Sequence, residues 1–525
     1  MDWTSPYPSQ RSPVFARNVV ATSQPLAAQA GLRAMLAGGN AIDAAVAAAI
    51  TLTVVEPNNN GIGSDAFAIV WDGERLHGLD ASGRSPAGWE SLRFAGRERM
   101  PTFGWDTVTV PGAVSAWAAL SERFGALPFE ALFESAIGYA RDGFPVGPLS
   151  ALYWQFAERM YSDFPDFGAH FLPGGRAPRP GEIFRCPDTA ETLAEIARTR
   201  GESFYRGALA ARIAECSAAA GGALARDDLA EHEPEWTRPV ASAYRDVTLH
   251  EIPPSGQGLT AQIALGVLDR HEVAAHPVDS ADSIHLQAEA FKLAWAEAER
   301  HIADRAHMRH PPERFLDGAV LDGLAGRIDM KRAGRPTASV PSSPDTVYLT
   351  AADAEGRMVS YIQSNFLGFG SGIVVPGTGI HLQNRGMGFT LEEDHPNRVG
   401  PRKRPFHTII PGFVTRDSAP LLAFGVMGGH MQAQGHVQML VRMCDYDQNP
   451  QAACDAPRWH LRADGALLLE PGTDEAVIDS LCERGHEVVQ DAMPHVFGGG
   501  QLVLNLGGRY CAASDKRKEG QAVGY

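Results

Sequence analysis

Cysteine is scarce and unpatterned in this sequence: six residues in 525, at positions 186, 216, 444, 454, 482 and 511, with no CxxC pair among them. This excludes a disulfide-stapled scaffold or a cysteine-rich zinc module, and fits reduced thiols in a cytoplasmic protein. Long apolar runs are missing as well. No stretch approaches the ~18 uninterrupted apolar residues that a membrane-crossing helix requires. The opening stretch MDWTSPYPSQRSPVFARN puts prolines and charges where a secretion signal needs an apolar core. No membrane partner and a cytoplasmic location are therefore expected. Basic charge is in deficit, with 46 Lys and Arg against 62 Asp and Glu and a net charge of −16. The densest basic runs, Arg402-Lys403-Arg404 and Lys516-Arg517-Lys518, are short enough to be solvated loops. A phosphate backbone would be repelled, and no nucleic-acid partner is expected.

Several catalytic signatures are also missing. His307-x-x-His310 has no third ligand nearby and reads as surface histidines, so no metal and no cofactor are expected. Gly368-x-Gly-x-Gly372 lacks the Lys-Ser/Thr ending and following helix of a phosphate loop. No G-x-S-x-G elbow occurs.

What is present is an ordinary globular composition, 44% hydrophobic and 21% charged, with ample material for a large core. Pro25 to Val55 reads as two alanine-rich helices broken at Gly38-Gly39-Asn40, the second apolar nearly all round and so buried. Ala66–Trp71 and Arg75–Leu79 read as a strand pair joined at Asp72-Gly73. From about Gly112 to Ala333 the pattern is mostly helical, with a strand near Val247–Ile252 and a long packing helix from Ser280 to Met308. From about Ser342 strands return at Thr346–Ala351, Met358–Ser364, Leu421–Val426 and Gln501–Leu506, with helices near Met431–Asp445 and Asp474–Gly485. Strand-rich material at both ends of a helical middle predicts a mixed α+β fold of stacked layers.

Pro344-Asp345-Thr346-Val347-Tyr348-Leu349 taken alone is a first strand with a β-branched resident. The rest of the chain changes that reading. VVATSQPLAAQAGLRAMLAGGNAIDAAVAAAITLTVVEPNNNGIGSDAFAIVW near the start, PPSGQG at 253–258, HLQAEAFKLAWAEAERHIAD at 285–304, Asp345-Thr346-Val347-Tyr348, GSGIVVPGTGIHLQN at 370–384 and MGGHMQ at 427–432 together resemble the γ-glutamyltransferase family, in order over nearly the whole chain. The resemblance implies a four-layer αββα sandwich of the N-terminal-nucleophile hydrolase type, with extra helices in the N-terminal part. It implies self-cleavage between Asp345 and Thr346 into a large subunit, 1–345, and a small subunit, 346–525, which together form one core and a heterodimer, further dimerisation being left open. Thr346 would be the nucleophile, because attack on the Asp345 carbonyl frees an α-amine that then serves as base for the hydroxyl. Ser364 would polarise that hydroxyl, and Gly428 and Gly429 would form the oxyanion hole.

The pocket departs from the family. At positions where typical transferases carry Asn, Gln, Asp and a Ser pair, this sequence has Phe366, Arg385, Gly388, His407 and Thr408. The acid that would hold an α-ammonium is a glycine, and Arg385 would attract a carboxylate instead, with His407 and Thr408 as further donors. Arg84 lies two positions later than the usual carboxylate-binding arginine and reads equally as a substrate ligand or a surface ion pair. The pattern fits the amide of a small acid without an α-amine. It resembles the oxamate amidohydrolases of the wider family, which make oxalate and ammonia in purine-ring catabolism. The alternatives are γ-glutamyl transfer or glutathione hydrolysis, a glutaryl-type acylase, and a non-catalytic binding protein that never processes.

Overall fold

The computed structural model describes residues 11–334, 346–491 and 493–525. Asp345, expected at the cleavage point, lies outside the described residues. The two alanine-rich helices form as the pattern predicts, at Pro25–Leu36 and Ala41–Val55. Asn40 starts the second with a capping box: its side chain accepts from the Ile42 and Asp43 amides, and Asp43 accepts from the Asn40 amide. Every residue of that helix is buried, because it packs between the first helix and a sheet.

Two seven-stranded sheets form the centre. One runs Gln521–Gly524, Val19–Thr22, Val347–Ala352, Met358–Ser364, Asp65–Trp71, Leu76–Asp80, Glu235–Thr237. The other runs Val14–Ala16, Tyr510–Ser514, Gly499–Asn505, Ala419–Met427, Gly412–Arg416, Val247–Glu251, Val240–Tyr244. They stack face to face. The Tyr348 ring lies so close to Gly425 that a Cβ there would stand 2.4 Å from it, and the Ser360 hydroxyl donates across the gap to Phe424 O at 3.3 Å. Ala41–Val55 covers the outer face of the first sheet; Gly258–Leu268 and Met431–Cys444 cover the second. This is the expected αββα sandwich, with additional helices, among them Pro148–Met160 and Pro187–Thr199, in the N-terminal part. Among the described residues, no helix is long and apolar enough to cross a membrane.

The middle of the chain is less uniformly helical than its pattern suggests. Glu235–Thr237 and Val240–Tyr244 are strands, each closing the edge of a different sheet. Both are short and flanked by proline and charge, so their alternation carries little signal. The long helix ends at His301 rather than Met308, because Ile302 is extended and Asp304 caps the turn that follows.

Candidate active site

Strand register assembles the centre of the site. Val347 pairs with Gln363, and Ser364 pairs with Asp65, so Thr346 at the head of its strand lies opposite Ser364, which lies opposite Asp65. Directly opposed residues point to the same face of a sheet, and here that face is the one turned to the second sheet. Thr346 Oγ1 and Ser364 Oγ are 3.1 Å apart. Ser364 Oγ accepts from the Phe366 amide at 2.8 Å, which holds it in place beside Thr346. Gln432 Nε2 donates to Thr346 Oγ1 at 3.3 Å, and its Oε1 accepts from the Ile410 amide at 3.0 Å, which fixes the orientation of the side-chain amide.

Gly428 and Gly429 form the turn between strand Ala419–Met427 and helix Met431–Cys444. Their φ values of +126° and +58° are ones that side-chain-bearing residues rarely adopt. Gly429 O accepts from the Gln432 amide at 3.2 Å, so the glycine turn and the Thr346 hydroxyl share Gln432 as a neighbour. Gln257, from the PPSGQG stretch, ties the turn down. Its Nε2 donates to both Gly429 O at 2.9 Å and Thr408 O at 2.5 Å.

Beside this centre is a wholly buried polar cluster. Arg385, His407 and Asp65 are each 0% exposed. Arg385 Nη1 donates to Thr408 Oγ1 at 2.8 Å, and its guanidinium lies 4.4 Å from the centroid of the Phe366 ring. Asp65 Oδ2 stands 3.8 Å from Arg385 Nε and 3.6 Å from His407 Nε2. Arg385 Nε and Nη2, both His407 ring nitrogens and Asp65 Oδ2 have no hydrogen-bond partner among the described residues. Burial pulls Arg385 down to about 10 while Asp65 pulls it back. Burial holds His407 well below its ordinary range, helped by Arg385 and Arg404, so the imidazole is neutral. Asp65 is pushed up to about 7 by burial, against the opposing pull of Arg385.

The structure thus gathers Thr346, Ser364, Gly428, Gly429, Arg385, His407 and Thr408. Arg84 is not among them: its side chain is 44% exposed and pairs with Asp304 at 2.9 Å and Arg402 O at 3.2 Å. Gly388 has no room for an acid, since a Cβ would stand 2.5 Å from Phe406 O. The sequence reading missed Asp65, which supplies an anion in a pocket expected to have none, and it gave no role to Gln257 or Gln432. All three lie inside the motifs given above, but nothing singles out Asp65 until the register places it beside Arg385. As for metals, His285, Glu289 and His486 bring ligand types together on and beside helix Ala281–His301. There the Lys292 ammonium sits 2.7 Å from Glu289 Oε1, where a cation would otherwise stand.

A four-layer sandwich whose inner strand begins with a buried, hydrogen-bonded hydroxyl defines the class of N-terminal-nucleophile hydrolases. A family model described as gamma-glutamyltranspeptidase matches residues 27–525. The oxamate amidohydrolase proenzyme of Klebsiella pneumoniae is 35% identical over 517 residues, covering 95% of this chain and 97% of the relative. The glutathione hydrolase-like YwrD proenzyme of Bacillus subtilis is 34% identical over 524 residues, covering 98% and 99%. Among solved structures, the cephalosporin acylase from Bacillus halodurans superposes with a TM-score of 0.95 at 43% identity, covering 100% of this chain and 99% of that one. The chain belongs to the gamma-glutamyltranspeptidase family, and is an enzyme: an amidohydrolase of the N-terminal-nucleophile type.

Proposed function

We propose that Thr346 is the nucleophile, released by self-cleavage after Asp345, and that the enzyme hydrolyses the amide of a small carboxylic acid without an α-amine, oxamate to oxalate and ammonia fitting best. The single observation that carries the substrate reading is Arg385, a buried guanidinium beside the Thr346 centre with two nitrogens that have no hydrogen-bond partner among the described residues. Such donors match the two oxygens of a carboxylate.

In this reading the Thr346 α-amine takes the proton from Oγ1 as that oxygen attacks the amide carbonyl. Ser364 and Gln432, which already face Oγ1 at 3.1 and 3.3 Å, steady it during attack. The oxyanion turns to the amides of Gly428 and Gly429. The proton held by the α-amine leaves with ammonia, and water then attacks the acyl ester to release the acid and restore the hydroxyl. Residues 1–345 and 346–525 would stay together after cleavage, because Val347–Ala352 lies between Val19–Thr22 and Met358–Ser364, and Asp65–Trp71 follows in the same sheet. Cysteine usage supports a cytoplasmic setting.

Asp65 supports a second reading, in which it takes an α-ammonium in place of the acid that Gly388 lacks, and the substrate is γ-glutamyl. An ammonium there would also face the Arg385 guanidinium, 3.8 Å from the same carboxylate, which disfavours it. The likeness to a cephalosporin acylase keeps longer dicarboxylic acyl groups in view. The test is a release assay over oxamate, glutaryl amides and γ-glutamyl-p-nitroanilide. Preferred turnover of oxamate is expected; efficient turnover of the γ-glutamyl substrate with no ammonia from oxamate would overturn the reading.

A further inference from the structure

Three buried polar groups, from strand Asp65–Trp71, the turn Arg385–Gly388 and the segment carrying His407, face one another through atoms that bond to nothing described. Asp65 Oδ1 accepts from the Gly83 amide at 3.3 Å, so its Oδ2 is the oxygen that faces Arg385 and His407. At 3.8 and 3.6 Å these contacts are too long to be hydrogen bonds, yet the first is short enough for strong Coulombic coupling between Asp65 and Arg385 in a buried site. The charge balance is already closed: one guanidinium, one carboxylate and a neutral imidazole.

Apart from the Thr346 α-amine that cleavage would free, the described side chains nearby supply no spare cation. Arg404 approaches Asp80 at 3.8 Å and bonds Glu235 at 2.9 Å, so that trio is itself net negative. The Tyr205 hydroxyl donates to Pro111 O at 2.9 Å and is held neutral by burial. A substrate carboxylate entering beside Arg385 would therefore leave two carboxylates sharing one guanidinium in a water-poor pocket, an arrangement in which one of the two must take a proton.

We propose that Asp65 sets the charge of the acyl pocket: the carboxylate of the substrate displaces Asp65 from Arg385, and Asp65 Oδ2 takes one proton from solvent as it is displaced. The pocket then binds a monoanion and a proton together, and Asp65 changes from a competitor for Arg385 into an O–H donor towards the bound carboxylate. Burial has already brought Asp65 up to about 7, so little further shift is needed near neutral pH. Asp65 is thus a specificity-determining residue. It disfavours dianionic loads, and it binds an acyl group without an α-ammonium only at the cost of a proton. The inference rests on reading Arg385 as the carboxylate ligand.

The experiment is calorimetric titration of the processed enzyme with pyruvate, isosteric with oxamate but without a scissile amide, and with valerate for a longer acyl pocket. Each is run in two buffers of different ionisation enthalpy between about pH 6 and 9. Proton uptake per ligand is expected to rise towards one above the free-state pKa of Asp65, with Kd rising about tenfold per pH unit there. Asp65→Asn should bind with no uptake and a flat Kd, and His407→Asn should keep the uptake. The buffer comparison on the unaltered enzyme stands by itself if a variant folds poorly. Binding that is lost in Arg385→Gln but carries no proton at pH 8 overturns the Asp65 inference alone, as does uptake that survives Asp65→Asn. If neither acid binds, or Arg385→Gln binds as well as the unaltered enzyme, the carboxylate reading fails and this inference with it.

Discussion

Replacing Arg385 with glutamine tests the substrate reading at its most specific point. The guanidinium is wholly buried, with Nη1 committed to Thr408 at 2.8 Å and Nε and Nη2 without a hydrogen-bond partner among the described residues. A carboxylate held by two charge-assisted hydrogen bonds gains roughly 1.5–3 kcal/mol from each. Truncating one partner of a buried charge pair typically costs about 2–5 kcal/mol. A loss near 4 kcal/mol corresponds to about a thousandfold in kcat/KM. The contact exists in ground state and transition state alike, so the loss should fall mainly on KM. Glutamine also forfeits the stacking on Phe366, worth about 0.5–2 kcal/mol, which loosens the loop without removing the nucleophile. The assay is ammonia release from oxamate by the processed variant, beside Arg385→Lys. Lysine keeps the charge but not the planar fork, and should fall between the two. Processing should be unaffected, since neither Ser364 nor Gln432, the partners of Thr346 Oγ1, is altered. A kcat/KM within about threefold of the unaltered enzyme would refute the assignment, because no buried carboxylate contact is worth so little.

Other outcomes follow from the same geometry. Ser364→Ala removes the hydroxyl 3.1 Å from Thr346 Oγ1 and should lower kcat by about 10- to 100-fold, with KM little changed, in steady-state kinetics. Gly425→Ala drives a methyl group against the Tyr348 ring, and should cost about 1–3 kcal/mol and lower the melting temperature. Glu56 is buried, bonded by Ser23 and Asn59, and pushed up to about 7 by burial. Because its folded pKa lies above the unfolded value of 4.5, the native state holds the proton that the unfolded chain has released. Its contribution is fullest below about pH 4.5 and is lost as pH rises through 7. Glu56→Gln removes the charge, keeps an amide oxygen to accept from Asn59, and lets its amide N–H donate to a turned Ser23 hydroxyl. It should therefore raise the melting point at pH 8 more than at pH 5, by up to about 3 kcal/mol in stability; an equal effect at both values would contradict this.

What the sequence reveals and what it hides have physical causes. The buried helix Ala41–Val55 is legible because an all-round apolar pattern leaves it no wet face. Met358–Ser364 is read to the residue, and Thr346 is legible from the motifs around it. The edge strands Glu235–Thr237 and Val240–Tyr244 are hidden because short strands have too few alternations to register. Arg84 can be read either way from its spacing, and its pairing with Asp304 becomes visible only in the fold. Asp65 is the clearest case. In sequence it is the polar residue at the entry to an apolar strand; only the pairing with Ser364 puts it beside Arg385, some three hundred positions away. A pocket inferred from one chain segment can therefore gain a charge from another.

The central claim is that Thr346 frees itself and then acts, and intact-mass measurement of the purified protein tests it most directly. Two masses, matching residues 1–345 and 346–525, are predicted for the unaltered protein, with a threonine at the new N-terminus. Thr346→Ala should remain one full-length, inactive chain, while Thr346→Ser, which keeps a hydroxyl, should still process. A single uncleaved chain that releases ammonia from oxamate, or cleavage after Asp345 in Thr346→Ala, would contradict the account.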